Sequence, residues 1–281
     1  MNTISFLIFT YNHEAQIEKC LTSILEQKNI TIDSIIIHDD YSTDNTRKII
    51  TDFAEKNSGK VKFEFIFDDY NKFSKNKKLP ARDGFKRGLN TKSKYIHLMD
   101  GDDSLCDVNK VFSQISGMNE HEKPISFSEC IYKSDLKTYQ RYFIFKKYLI
   151  SNFYFTCLTG GKYLCLSSLV LKKECLKYFS NAYWELDSNT DYDLKLMASK
   201  IGIFYLPSPS VEISKNLPGS FSHGISKRSL KDELNFLVIR NNSFNYMKKQ
   251  KMFSIIGLIF ALFATFFGII KRLILKLTYK N

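Results

Sequence analysis

Tyr95-Ile96-His97-Leu98-Met99-Asp100-Gly101-Asp102-Asp103 is a short apolar run that stops on three carboxylates within four residues. The apolar part has the length and the aromatic and β-branched bias of a buried strand, while the acidic part has no place inside a core. Three similar runs lie upstream: Ile4 to Thr10, Ser34 to His38 and Val61 to Phe67. Stretches of helical length, Glu14 to Gln27 and Thr43 to Asn57, separate these three, and Ala81 to Asn90 precedes Tyr95. In the first of them Ile17, Leu21, Ile24 and Leu25 share one helical face. Near-continuous apolar strands alternating with helices predict an α/β fold with a mostly parallel sheet and flanking helices. Such sheets take ligands at the carboxyl ends of their strands.

Those ends carry Thr10-Tyr11-Asn12-His13, then Asp39-Asp40, then the Asp100 to Asp103 run. Like charges this close repel, and a divalent cation among them relieves the repulsion. Carboxylate oxygens suit hard Mg²⁺ or Mn²⁺ and leave coordination positions for phosphate oxygens. The competing reading is a solvated turn in which Asp103 or Ser104 caps the next helix. An acidic residue at the second strand's end accepts hydrogen bonds from a base N–H or a ribose hydroxyl. Ser42 or Thr43 is placed to cap the helix that follows. No G-x-G-x-x-G follows the first strand and no P-loop motif occurs, which excludes an ordinary dinucleotide or Walker site.

Four segments in order, F-T-Y-N-H-E (9–14), I-I-I-H-D-D-Y-S-T-D-N-T (35–46), P-A-R-D-G (80–84) and Y-I-H-L-M-D-G-D-D (95–103), together resemble the family 2 glycosyltransferases of the GT-A fold. The resemblance covers the first 105 residues and continues more faintly to about residue 225. It implies a GT-A Rossmann-like sheet and an inverting, metal-dependent enzyme of the bacterial surface-polysaccharide type. Such an enzyme moves a sugar from a nucleotide-diphosphate sugar to an acceptor hydroxyl. By position, Thr10 and Tyr11 border the nucleobase, Asp40 or Asp39 bonds the base or ribose, and Arg82 lies near the donor. Asp100 and Asp102 form the D-x-D motif, with Asp102 as direct ligand of Mn²⁺ or Mg²⁺. The segment N-T-D-Y-D-L-K-L-M-A (189–198) resembles the family's E-D-x-x-L and places Asp191 as catalytic base. Thr190 stands where that segment has Glu, so Asp193 and Glu185 remain alternatives. Lys215, His223 and Arg228 are candidates to cover the diphosphate.

The chain has 281 residues, 44% hydrophobic and 25% charged, with a net charge of +12. Disordered, collagen-like and disulfide-scaffold classes are thereby excluded. Six cysteines lack any metal-ligand spacing and read as reduced, mostly buried thiols. Met252 to Ile270 contains no charge, and at about 1.5 Å per residue it approaches the thickness of a bilayer's hydrocarbon core. Seven of the positive charges flank it (Lys248, Lys249, Lys251, Lys271, Arg272, Lys276 and Lys280), so the rest of the chain carries +5. An anionic membrane then accounts for the surplus, and nucleic acid drops out as a partner. The expected organisation is a GT-A domain over 1–225, with a nucleotide-sugar half (1–105) and an acceptor half (106–225). An apolar C-terminal helical segment over 226–281 completes it. The N-terminal dodecapeptide lacks the features of a secretory leader, which predicts a catalytic domain on the cytoplasmic face of the membrane. The acceptor expected there is a glycan or lipid-linked acceptor. Two rivals remain: a nucleotidyltransferase, which lacks its Gly-rich basic loop here, and a non-enzymatic basic membrane-binding module with a Rossmann-like sheet.

Overall fold

A computed structural model describes residues 2–75, 79–133, 138–140, 164–179, 183, 190–214, 242, 245–246 and 266. The expected strands form where the apolar runs lie: β1 (Thr3–Thr10), β2 (Thr31–Asp39), β3 (Lys62–Phe67) and β4 (Tyr95–Asp100). Helices α1 (Ile17–Leu25), α2 (Thr46–Asn57), α3 (Lys72–Lys75) and α4 (Leu79–Leu89) connect them. Ile17, Leu21 and Ile24 are fully buried, so the helical face read from the sequence is the face that packs. The remaining elements are β5 (Ser104–Leu105), α5 (Lys110–Glu120), β6 (Ile125–Lys133), β7 (Thr138–Gln140), β8 (Val170–Lys172), α6 (Thr190–Ile201) and β9 (Ile203–Ser214). A 3-10 turn, Leu166–Ser168, precedes β8.

Among the described residues nine strands form one sheet in the order β3-β2-β1-β4-β8-β6-β9-β5, with β7 beside β6. The block β3-β2-β1-β4 is parallel, β8 runs antiparallel between β4 and β6, and β9 is parallel to β6. Two apolar clusters cover the sheet, one built on Leu7, Ile36, Ile96 and Leu98, the other on Ile4, Phe6, Ile8, Ile35 and Ile37. Alternate residues of the same strands supply the two clusters, as a sheet buried on both faces requires.

The apolar run Ile201 to Leu206, followed by Pro207 and Pro209, predicts a strand that closes at Leu206, yet β9 continues to Ser214. The pairing with β6 shifts register on either side of Glu129, where Leu206 faces Ser128 and Pro209 faces Glu129. That irregularity absorbs two residues without an N–H, and regular pairing resumes at Val211. The apolar stretch 252–270 and the Gly160-Gly161 pair, whose sequence predicts a tight turn, lie outside the described residues. Among the described residues no helix is long and apolar enough to cross a membrane. The described cysteines are free thiols, with Cys20, Cys130 and Cys175 buried.

Candidate active site

Strand register assembles the site. Thr10 pairs with Asp39 across β1 and β2, and Phe9 pairs with Asp100 across β1 and β4, so three strands deliver their polar ends to one edge. The loops beyond are stitched together. The Asn12 N–H donates to Ser42 Oγ (2.8 Å), the Thr43 N–H to Asn12 Oδ1 (2.8 Å), and the His13 N–H to Thr46 Oγ1 (2.8 Å). Asn12 and Tyr41 hold positive φ angles of 54° and 67°, which turns the two loops toward each other. Tyr11 and Tyr41 stand exposed at this rim.

Asp39 is fully buried, and its carboxylate accepts from the Ser42 N–H (3.0 Å), from the Ser42 hydroxyl and from Arg47 Nε. The Arg47 guanidinium also donates to the Asp68 carbonyl (2.6 Å) and lies 5.0 Å from the Phe67 ring centroid. Asp40 accepts the backbone N–H groups of Lys72 (2.6 Å) and Phe73 (3.0 Å), one on each oxygen. Burial raises the Asp40 pKa against the lowering effect of those two bonds. Arg82 Nε donates to Asp83 (2.9 Å), and Asp83 is bridged by Lys72 to Asp68, which bonds His38 at 2.6 Å. Gly84 explains the close seat of α4: a Cβ there would sit 2.8 Å from the Phe9 ring. Gly88 lies against Leu7, so α4 runs antiparallel to β1 and brings Arg82 toward the carboxyl edge.

The helix after β2 starts at Thr46, later than the expected Ser42 or Thr43 cap. The N-cap is Asn45, which makes no side-chain capping bond, and Asp44 just before it takes the Thr46 N–H through Oδ1 (2.9 Å).

At the end of β4, one carboxylate oxygen from each of Asp100, Asp102 and Asp103 lies within 4.8 Å of the others. Asp100 and Asp102 are half-buried. Asp103 is buried: its Oδ1 accepts the Ser214 N–H (3.0 Å) and its Oδ2 the Ser167 hydroxyl. The cap reading of this turn fails, because Ser104 belongs to β5 and the next helix begins at Lys110. Burial first, then repulsion from Asp102 and other neighbouring groups including Asp100, pushes the Asp103 pKa well above the carboxylate range. Gly101 fits because there is no room for more: a Cβ would lie 2.9 Å from Thr10 Cβ and Oγ1 and 3.1 Å from His13 Nδ1. Thr10 Oγ1 and His13 Nδ1 are themselves bonded at 3.1 Å.

Beneath this turn the Lys110 side chain is fully buried, with Nζ on His97 Nε2 and donating to the Ser168 carbonyl (3.2 Å). Burial lowers Lys110 to about 7, and burial with the Lys110 charge holds His97 well below the usual imidazole value.

Two of the three base candidates, Asp191 and Asp193, lie among the described residues and differ in exposure. Asp191, in the first turn of α6, has a side chain 48% exposed and paired with Lys195 Nζ at 2.8 Å. Asp193 is fully buried and accepts the Tyr183 hydroxyl at 2.6 Å, which makes it a core residue. The acidic turn touches the Leu166–Ser168 segment through Ser167, which bonds the Asp100 N–H and the Asp103 carboxylate. Glu185, Lys215, His223 and Arg228 lie outside the described residues. Ser167, Ser214, Arg47 and Lys110 escaped the sequence reading.

A parallel block β3-β2-β1-β4 with acidic strand ends, continued by a mixed block through β8, β6 and β9, is the architecture of the GT-A fold. The model of glycosyl transferase family 2 matches residues 5–154, more than half of the chain, and the protein belongs to that family. Among solved structures, S. aureus TarS 1–349 in complex with UDP-GlcNAc aligns with a TM-score of 0.61 and 16% identity, covering 88% of this chain and 66% of that one. The mannosyltransferase PcManGT from Pyrobaculum calidifontis, in complex with GDP-Man and Mn²⁺, aligns at 0.57 and 12%, covering 94% and 68%. The chain spans less than two thirds of the first two TarS chains, 66% and 60% of their length. No curated protein matches the sequence.

Proposed function

We propose that this glycosyltransferase is an inverting, metal-dependent enzyme that passes a sugar from a nucleotide diphosphate to a hydroxyl of a glycan acceptor. The observation that carries this reading is the register that lines up Thr10, Asp39 and Asp100 beside a cluster of carboxylates. Asp100 and Asp102 offer the all-oxygen donor set that Mn²⁺ or Mg²⁺ takes, while both oxygens of Asp103 are occupied by Ser167 and Ser214. A cation held there supplies positive charge to a departing diphosphate. Thr10 and Tyr11 border the base, Asp40 or Asp39 accepts a base N–H or ribose hydroxyl, and Arg82 approaches the donor phosphates. Asp191 takes the acceptor's proton as that oxygen bonds to the anomeric carbon and the bond to the diphosphate breaks. Lys195 holds the Asp191 carboxylate in place at 2.8 Å. The complexes of UDP-GlcNAc and GDP-Man with the similar structures support a nucleotide-sugar donor.

The apolar 252–270 stretch and its basic flanks support an acceptor presented at the cytoplasmic face of an anionic membrane, a lipid-linked glycan in surface-polysaccharide synthesis. The test is a panel of nucleotide sugars with Mn²⁺ or Mg²⁺ on the full chain, reading donor binding and transfer or hydrolysis. Asp191→Asn should lose transfer and keep donor binding; retained transfer moves the base elsewhere. Recovery of the full-length chain in the soluble fraction without detergent removes the membrane part of the reading.

A further inference from the structure

The acidic turn is held by residues that come from the other half of the molecule. Ser167 is fully buried in the 3-10 turn before β8. Its Oγ accepts the Asp100 N–H at 3.1 Å and donates its proton to Asp103 Oδ2. One hydroxyl thus joins the backbone of the first aspartate to the side chain of the last. From the end of β9, the Ser214 N–H donates to Asp103 Oδ1 (3.0 Å), and the Ser214 hydroxyl donates to the Asp102 carbonyl (2.6 Å). The Gly101 N–H donates to the Phe9 carbonyl (2.8 Å), and the Asp103 N–H donates to the Asp100 carbonyl (3.1 Å). All four residues of the turn are therefore tied through the main chain or through the Asp103 carboxylate.

The turn that carries Ser167 is itself anchored. The Ser168 carbonyl accepts from Lys110 Nζ (3.2 Å) and Gln114 Nε2 (3.0 Å), and the Ser128 N–H donates to Ser168 Oγ (3.3 Å). The Leu98 N–H donates to the Leu169 carbonyl (3.1 Å), tying the segment to β4. A rigid support of this kind fixes where the carboxylates of Asp100 and Asp102 point, and outer partners that orient ligands govern metal affinity.

We propose that Ser167, with Ser214 as its counterpart, is a positioning residue that sets the cation-binding geometry of Asp100 and Asp102: Ser167 braces Asp103, which is a strut and not a ligand, and the Ser214 hydroxyl holds the Asp102 carbonyl. This rests on the metal-dependent reading above.

The experiment is a titration of the full chain with Mn²⁺, alone and with UDP or GDP. Free Mn²⁺ is read by electron paramagnetic resonance, and thermal unfolding is recorded beside it. Ser167→Ala should weaken Mn²⁺ binding by about tenfold or more, as loss of a ligand-orienting partner does. In turnover, the Mn²⁺ concentration for half-maximal rate should rise by a similar factor, while kcat at saturating Mn²⁺ changes little. Ser199→Ala is the control, since among the described residues that buried hydroxyl bonds the Leu196 carbonyl (2.8 Å) within α6 and touches no part of the acidic turn. It should lower unfolding temperature without moving Mn²⁺ affinity. If Ser167→Ala does not fold, Ser214→Ala carries the test through the Asp102 side of the brace, since it removes the bond to the Asp102 carbonyl and keeps the N–H to Asp103; a several-fold loss of affinity is expected. Mn²⁺ affinity unchanged in the folded serine variant, or lowered equally by Ser199→Ala, overturns the brace. Absence of Mn²⁺ binding by the unaltered protein overturns the metal-dependent reading instead, so the two failures are distinct.

Discussion

Two acidic clusters share one edge of the sheet and are treated in opposite ways. At the end of β2, Asp39 and Asp40 are buried, and the protein supplies their donors: Ser42, Arg47 and the amides that open α3. At the end of β4, Asp100, Asp102 and Asp103 converge within 4.8 Å, and the structure raises the cost of their charge by placing them together. The first cluster is charge used to build the rim. The second is charge gathered at one point, the arrangement of oxygen ligands on which the proposed metal dependence rests.

The sharpest way to break this contrast is to remove one carboxylate from each cluster. Asp102→Ala should cut transfer by about a thousandfold, because charge stabilisation at the leaving group is lost. Its urea midpoint at neutral pH should stay level or rise, since a repelling neighbour of Asp103 is gone. A large loss of stability with activity preserved would mean that Asp102 belongs to the structural class. Asp39→Ala should do the reverse to stability, costing about 3 kcal/mol, because Arg47 and the Ser42 turn lose their buried acceptor. Chemical denaturation measures it, and an unaltered midpoint would show that the Arg47 pair contributes nothing to the fold.

A smaller effect sharpens the β4 side. Lys110 titrates at about 7 in the folded protein against an ordinary 10.5. Across that window the unfolded chain holds a proton that the folded chain has released, so this group's contribution to stability rises with pH and is level below about 7. Lys110→Met removes the dependence. From about pH 7 to about pH 9, the unaltered protein should gain about 2 kcal/mol relative to the variant, read from paired denaturation curves. A constant difference between the two would mean that Lys110 keeps its charge in place.

The β1 to β4 half was legible because its strands are uninterrupted apolar runs and its polar strand ends are adjacent in sequence to them. Register, which the residues alone do not state, then brought Thr10, Asp39 and Asp100 side by side. Arg47 left a usable signal, a cation eight positions beyond Asp39 at the start of an expected helix. Ser167 and Ser214 left none. They reach Asp103 across 64 and 111 positions, and a lone serine in an apolar run carries no periodic mark of its partner. Lys110 misleads a reader for a different reason: lysine is expected at the surface, and only the fold shows its amine enclosed between His97 and the Ser168 carbonyl. The prolines of β9 were read by their local rule, and a register shift in the partner strand overrode it.

Gly101 ties the first strand's motif to the fourth's. With Thr10 and His13 packed where its side chain would go, the residue between the two aspartates cannot change unless the loop after β1 changes with it. For anyone assembling chimaeras from related transferases, a crossover placed between residues 13 and 101 separates two halves of one lock. Segments 10–13 and 100–103 have to be exchanged as a pair, however far apart they stand in the chain.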